Sequence, residues 1–195
     1  MNKNILISGV GGQGTVLASR LIAYAYMEQG EFVRTAETIG MAQRGGCVVS
    51  HIRVSSENES SIIPFRKADL LISFEPSEAA RSISRLGENS ACVVNTQAIM
   101  PVTASLGGMA YDAEKVIFDL KSSVKNLVLV NANRLAEEAG SIKATNVVLL
   151  GAAIGSGFLK ITQEQMQSAL KNMLPQKLHE INFKALELGI SEVKI

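Results

Sequence analysis

Residues 5–25, ILISGVGGQGTVLASRLIAYA, constrain the fold of this chain more than any other stretch. An apolar-leaning lead runs into Gly9-Val10-Gly11-Gly12-Gln13-Gly14, and a segment of helical apolar periodicity follows. The pattern reads as a buried strand, a glycine turn and a helix. Glycines 9, 11 and 14 fit G-x-G-x-x-G, the phosphate-binding turn of a Rossmann-like unit. In that reading Gly9 permits a tight turn, Gly11 lets another group approach the backbone, and Gly14 lets the helix pack close to the sheet. Free N–H groups at the helix start then face an anion, helped by the helix dipole. A glycine turn also serves packing alone. The motif does not distinguish a dinucleotide, coenzyme A, free phosphate or a carboxylate on a partner chain.

The 195 residues suit one α/β domain, and 47% hydrophobic residues supply a full core. Aromatics are only 5%, so Ile, Val, Leu and Ala must fill it. A formal charge of +1 gives no argument for nucleic acid or acidic membranes as partners, and none is expected. Cys47 and Cys92 cannot make a four-thiolate iron–sulfur site, and with His51 and His179 they form no zinc spacing. A disulfide between them stays open, as does a role as small buried hydrophobes. MNKNILISG does not read as a signal peptide, and no apolar run reaches a membrane span, so the expected compartment is the cytoplasm.

Residues 32–36 read as the second strand. An NAD-type enzyme places an acid near the end of that strand for the ribose hydroxyls, and Glu37 stands close to that place. Arg44-Gly45-Gly46 then sets a guanidinium beside an open backbone, which suits phosphate or carboxylate, or merely a solvated strand entry. Residues 47–55 alternate as a strand, with His51 an acid–base group or a hydrogen-bonded surface residue. Residues 57–61 read as a turn, and 62–65 resume the sheet or its edge. Strand 68–75 runs into a helix opened by Pro76. Glu75 and Glu78 bracket that start, as an acid–base pair or as capping groups.

Further strands are expected at 91–95 and 127–131, and a short helix from 111. Helices follow at 134–139, at 145–158 with a small-residue face of Ala152, Ala153, Gly155 and Gly157, and at 162–173. The last of these has Thr162 as N-cap and Gln165 in the capping-box position. A final helix opens at Pro175 and ends at Gly189. The expected architecture is α/β and Rossmann-like: a mostly parallel sheet with helices on both faces, a helical C-terminal segment, and an antiparallel hairpin within 47–65.

Several stretches together resemble one family. Gly9-Val10-Gly11-Gly12-Gln13-Gly14, Glu37, Gln43-Arg44-Gly45-Gly46, Ser50 and Arg53 resemble the gamma-type subunits of 2-oxoacid:ferredoxin oxidoreductases. Within that family the likeness is to the beta (small) subunit of the indolepyruvate type. Ala68-Asp69, Phe74-Glu75-Pro76, Glu78-Ala79, Val94-Asn95-Thr96, Pro101, residues 144–151 and Asn182-Phe183-Lys184-Ala185 extend it over nearly the whole chain. The resemblance implies a single gamma-type domain over 1–195 within a multi-subunit enzyme. Such an enzyme decarboxylates a 2-oxoacid oxidatively, joins the acyl group to coenzyme A, and passes electrons to ferredoxin. Thiamine diphosphate, Mg2+ and iron–sulfur clusters then belong to a large partner subunit. This chain has no Gly-Asp-Gly followed by a suitably distant asparagine, so it is expected to be inactive alone. Isolated, it is open to self-association through an orphaned apolar face.

The expected functional surface is Gly9, Gly11, Gly12, Gln13 and Gly14 with Arg44, Gly45 and Gly46, touching coenzyme A, another phosphate or the partner. No residue is assigned to catalysis or to a metal. Two alternatives remain at this level: an independent NAD- or flavin-binding oxidoreductase, and a stand-alone module for coenzyme A or another phosphorylated ligand.

Overall fold

The computed structural model describes residues 2–39, 46–55, 60–99 and 111–193. Six strands form one sheet: β1 (Lys3–Val10), β2 (Val33–Ile39), β3 (Cys47–Val54), β4 (Ala68–Ser73), β5 (Leu86–Asn95) and β6 (Asn126–Val130), in the order β2-β3-β1-β4-β5-β6. β1, β4, β5 and β6 run parallel. β3 is antiparallel to both β1 and β2.

The apolar runs explain the layering. Ile5 and Ile7 enter one core and Leu6 the other; Leu70 and Ile72 separate from Leu71 in the same way, as do Ala91 and Val93 from Cys92. Strands buried on both faces need a cover on each side. The larger cover is α1 (Thr15–Glu28) with the C-terminal helices; the smaller comes from α2 (Pro76–Ser82) and α3 (Ala113–Ser123). α1 presents Ala18, Leu21, Ile22, Ala25 and Tyr26, one stripe of helical spacing. The C-terminal helices are α4 (Ala132–Ala139), α5 (Thr145–Gly155), α6 (Gln163–Met173) and α7 (His179–Glu192). Thr162 and Gln165 make the expected capping box at α6.

Several expectations are corrected. The hairpin is formed by β2 and β3, not within residues 47–65, and residues 62–65 belong to no strand. The turn expected at 57–61 begins among residues outside those described. β2 extends beyond residue 36, so Glu37 lies inside it, opposite Ser50. β3 separates β2 from β1, so Glu37 stands two strand spacings from β1, about 10 Å. Among the described residues, the place beside β1 where such an acid would be carried is taken by the antiparallel β3. Cys47 and Cys92 are free. They sit on β3 and β5, three spacings or about 14 Å apart across the sheet, beyond disulfide reach. His51 is buried rather than on the surface, and its Nδ1 accepts the Ile63 N–H at 3.2 Å, pinning the segment before β4.

The last helix passes straight through Gly189 instead of ending there. A glycine past a helix end is the usual stop signal, but here it serves a helix crossing. A Cβ on Gly189 would lie 2.1 Å from the Val148 carbonyl oxygen; one on Gly151 or Gly155 would lie 2.3 Å from Leu186 O or 2.5 Å from Ile190 O. α5 and α7 therefore meet backbone to backbone. Of the expected small-residue face, Ala152 and Ala153 are fully buried and Gly155 meets α7; Gly151 joins them, while Gly157 lies beyond the helix in open space at φ 73°.

Gly189→Ala should lower stability although alanine favours helix by about 1 kcal/mol. Backbone oxygens cannot step aside, and overpacking costs about 1–3 kcal/mol or more. A lower denaturant midpoint checks this, and an unchanged or higher one contradicts it. Burial, and then the Arg85 charge, hold the His51 pKa below its ordinary value. Its contribution to stability is complete above the unfolded value of about 6.5 and is lost as pH falls through the folded value. The midpoint should drop in that window, and His51→Asn, which keeps an acceptor for Ile63, should flatten the drop.

Candidate functional site

The glycine turn sits at the carboxyl end of β1. Gly12 and Gly14 hold φ of 98° and 84°, a left-handed backbone that side chains oppose. Gly14 is the N-cap of α1. Gly9 is not the tight-turn residue; it lies within β1. A Cβ there would come 2.7 Å from Gln13 Oε1, 2.9 Å from Thr15 Cγ2 and 3.0 Å from Phe74 Cβ. Its missing side chain makes room for the Gln13 amide. Nor does Gly14 serve helix-to-sheet packing: a Cβ there would meet Asn146 Nδ2 at 3.0 Å, in the first turn of α5.

Gln13 is a clamp. Its Oε1 accepts the Val10 N–H at 2.8 Å and its Nε2 donates to the Phe74 carbonyl at 3.1 Å. That carbonyl also accepts Asn95 Nδ2 at 3.1 Å. Asn95 Nδ2 further donates to Asn133 Oδ1 at 3.1 Å, while Asn95 Oδ1 accepts the Ala132 N–H at 3.1 Å. A chain of amides thus ties the ends of β1, β4 and β5 to the start of α4. The sequence reading assigned no role to Asn95 or Asn133. The available signal was an asparagine at a strand end and another beside the next helix start, the common places for backbone capping.

The two predicted loops meet. Gly11 N–H donates to Gly46 C=O at 2.9 Å, and Val10 pairs with Cys47. Gly46 is thereby seated against the turn; Arg44 and Gly45 lie outside the described residues, as does Pro101. Arg53 is placed at the far end of the sheet, donating to Asn4 Oδ1 at 2.9 Å and to Ser60 O at 2.7 Å.

Glu75 is a structural cap. It is buried, and its Oε2 accepts the N–H groups of Ser77 at 2.8 Å and Glu78 at 3.1 Å, as well as the Ser77 hydroxyl. Its Oε1 accepts the Tyr111 hydroxyl. Burial, then the Glu75 hydrogen bond and charge, push the Tyr111 pKa up to about 12. Glu78 accepts from Arg81 at 2.9 Å. The Cys47 thiol lies against Glu78, and burial, then that carboxylate, push it up to about 11. At neutral pH it is a thiol, not the reactive thiolate. Glu75 and Glu78 are therefore engaged in capping and pairing, not poised as an acid–base couple.

What this edge offers chemically is N–H donors and positive helix ends. α1 and α5 both start without a side-chain cap and without an acid in the first turn, and their starts meet at Gly14 and Asn146. The uncapped α1 N-terminus favours an anion, whereas at α5 the Thr145 N–H is already bonded to Ile142 O and the Val147 N–H to Asn146 Oδ1 at 2.9 Å.

An open α/β sheet with a glycine turn at its carboxyl edge, fused to a helical C-terminal layer, makes this an α/β protein. The chain belongs to the pyruvate ferredoxin/flavodoxin oxidoreductase family, which it matches over residues 4–192. It is 38% identical to the indolepyruvate oxidoreductase subunit IorB of Archaeoglobus fulgidus, covering 98% of this chain and 96% of that one. Its fold is similar to that of the pyruvate oxidoreductase subunit PORC of Thermotoga maritima, with TM-score 0.72 at 20% identity over 97% and 96% of the two chains. It is also similar, with TM-score 0.71 and 20% identity, to 31% of a 2-oxoglutarate:ferredoxin oxidoreductase chain from Magnetococcus marinus, solved with 2-oxoglutarate, coenzyme A and succinyl-CoA bound. That match covers 99% of this chain. Among the described residues no helix is long and apolar enough to cross a membrane.

Gly9 and Gln13 should be energetically coupled. Gln13→Ala strands the Val10 N–H and one Phe74 acceptor bond, costing about 1–3 kcal/mol. Gly9→Ala should cost less in the Gln13→Ala background, because one of its three close contacts is gone. A double-mutant cycle in urea should give a coupling of about 0.5–3 kcal/mol; additive effects would refute the clamp.

Proposed function

We propose that this chain is the non-cofactor-bearing subunit of a multi-subunit enzyme. That enzyme oxidatively decarboxylates a 2-oxoacid, transfers the acyl group to coenzyme A and delivers electrons to ferredoxin. The whole chain acts as one gamma-type domain. Its relation to a subunit named for indolepyruvate oxidation supports an aryl pyruvate, indolepyruvate first, as the substrate. The large partner subunit carries thiamine diphosphate with Mg2+, and iron–sulfur clusters, which supply carbon–carbon cleavage and electron transfer. The cysteines of this chain fit no cluster: Cys92 is buried in the core, with its pKa pushed up to about 12, and Cys47 stands strands away.

The observation that carries the reading is the Gly11–Gly46 hydrogen bond. It joins the glycine turn to the Arg44-Gly45-Gly46 segment at the edge where the α1 and α5 N-termini meet. In this role Gly11, Gly12 and Gly14 shape the N–H-bearing turn, Gln13 keeps it rigid from behind, and Arg44 adds a guanidinium. The occupant is a phosphate of coenzyme A, with the partner subunit closing over it. Gln13 acts by positioning, since both ends of its amide are already engaged. Substrate choice rests with the large subunit.

The test is anaerobic affinity purification of the tagged chain from its own cells, followed by assay with aryl pyruvates, coenzyme A and ferredoxin. A complex with a large subunit bearing thiamine diphosphate and iron, active on indolepyruvate, is expected. A chain that elutes alone with a bound dinucleotide refutes the subunit reading. In the complex, Arg44→Ala should raise the KM for coenzyme A about tenfold, equivalent to about 1.4 kcal/mol. Wild-type assembly with wild-type kinetics would refute the assignment of that loop.

A further inference from the structure

The opposite end of the sheet, where β4 and β5 begin, carries a second site-like feature. A cleft of about 560 Å3 is lined by Arg66 and Lys67 before β4, by Ile83 and Ser84, and by Leu86 and Glu88 at the start of β5. The cleft is open to solvent, with Arg66, Lys67, Ser84 and Glu88 exposed. The lining holds two cations and one carboxylate, and among the described residues the Arg66 and Lys67 side chains take part in no hydrogen bond or ion pair. The neighbouring Arg85 is already engaged, donating to Ile63 O at 2.7 Å and lying over the Phe65 ring at 4.2 Å.

The cleft is held rigid. Arg66 N–H donates to Ser84 O at 3.2 Å, Lys67 N–H to Arg85 O at 3.0 Å, and Asn4 Nδ2 to Lys67 O at 2.9 Å. Ser90 Oγ donates to Gly87 O at 2.7 Å. Arg66 has φ 59°, the one positive φ of a non-glycine residue among those described. A left-handed backbone at a bulky residue is an uncommon cost, and such costs gather at ligand clamps. Glycine would sit there without strain, so stability alone does not account for arginine.

We propose that this cleft binds a small phosphorylated molecule that also carries a hydroxyl or amino donor. Arg66 takes the phosphate by its planar fork and Lys67 adds a point charge. Glu88 accepts the donor group, as a ribose hydroxyl would offer, and Ile83 and Leu86 wall the body of the ligand. A nucleoside monophosphate has this chemistry. The site is separate from the glycine turn and does not rest on the subunit reading.

The test is heteronuclear NMR of the full chain titrated with inorganic phosphate and with adenosine monophosphate. Expected are saturable shifts at the amides of Ser84, Leu86, Gly87 and Glu88, with adenosine monophosphate binding more tightly than phosphate. Arg66→Gly removes the guanidinium while suiting the backbone, so it should keep or raise Tm while weakening binding about tenfold, or about 1.4 kcal/mol. Lys67→Ala should weaken binding with the fold intact, and the surface control Lys121→Ala should leave it unchanged. Shifts confined to Gly11–Thr15, shifts at 84–88 that persist in Arg66→Gly, or no saturable shift up to ~10 mM ligand would overturn the proposal.

Discussion

Two-sided burial of the central strands governs the rest of this molecule. Ile5, Leu6 and Ile7 on β1, and Leu70, Leu71 and Ile72 on β4, are all fully buried. Burying an unpaired polar group costs several times what a typical hydrogen bond contributes, so such strands leave no place for chemistry along their length. On β1 and β4 the polar side chains stand toward the strand ends, while the buried His51 of β3 accepts the Ile63 N–H. The transition is visible where Ser8 Oγ donates to Ser73 Oγ at 2.9 Å and Ser73 Oγ to Glu75 O at 2.8 Å. Just beyond lie the Gln13 and Asn95 amides, which satisfy the freed backbone groups and fix the edge.

The antiparallel strand β3 decides what that edge can bind. A dinucleotide fold sets its second parallel strand beside the first, with an acid at its tip for the ribose. Here β3 takes that place because it is the more apolar of the two candidates: Val48, Ile52 and Val54 are buried, and His51 is satisfied by the Ile63 N–H. β2, with Thr35 and Thr38 exposed, is suited to the rim. The entry into β3 is thereby delivered against the glycine turn, and Gly46 meets Gly11. The Gly46 backbone stands against the glycine turn where a dinucleotide fold would set its second parallel strand.

Most of the fold was legible because its signals are local. Apolar runs marked the strands, the Thr162–Gln165 box marked α6, and Gly140 marked the end of α4 in a left-handed conformation. The failures are non-local. Gly189 obeyed no rule of its own segment, since the reason for it is the Val148 carbonyl across a helix crossing. Gly9 was legible as important and misread in role, because the group needing its space is a side chain folded back from Gln13. For the candidate site, composition and spacing named the glycine turn and Gly46, and the structure brings Gly11 and Gly46 together. The Asn95–Asn133 relay was not named, because a pairing between residues on separate elements has no periodicity to betray it.

The helical layer and the functional edge are mechanically one unit, and α5 is the link. It is an eleven-residue rod, about 16 Å long. At its start, Asn146 lies against Gly14, in the glycine turn itself; along its length, Gly151 and Gly155 are locked to the backbone of α7. Close-packed interiors transmit displacement instead of absorbing it. A shift of α7 against α5 is therefore felt at Gly14, where a Cβ would already meet Asn146 Nδ2 at 3.0 Å. The C-terminal helices accordingly do more than cover one face of the sheet. By fixing α5 they hold Asn146 against Gly14, and with it the start of α1.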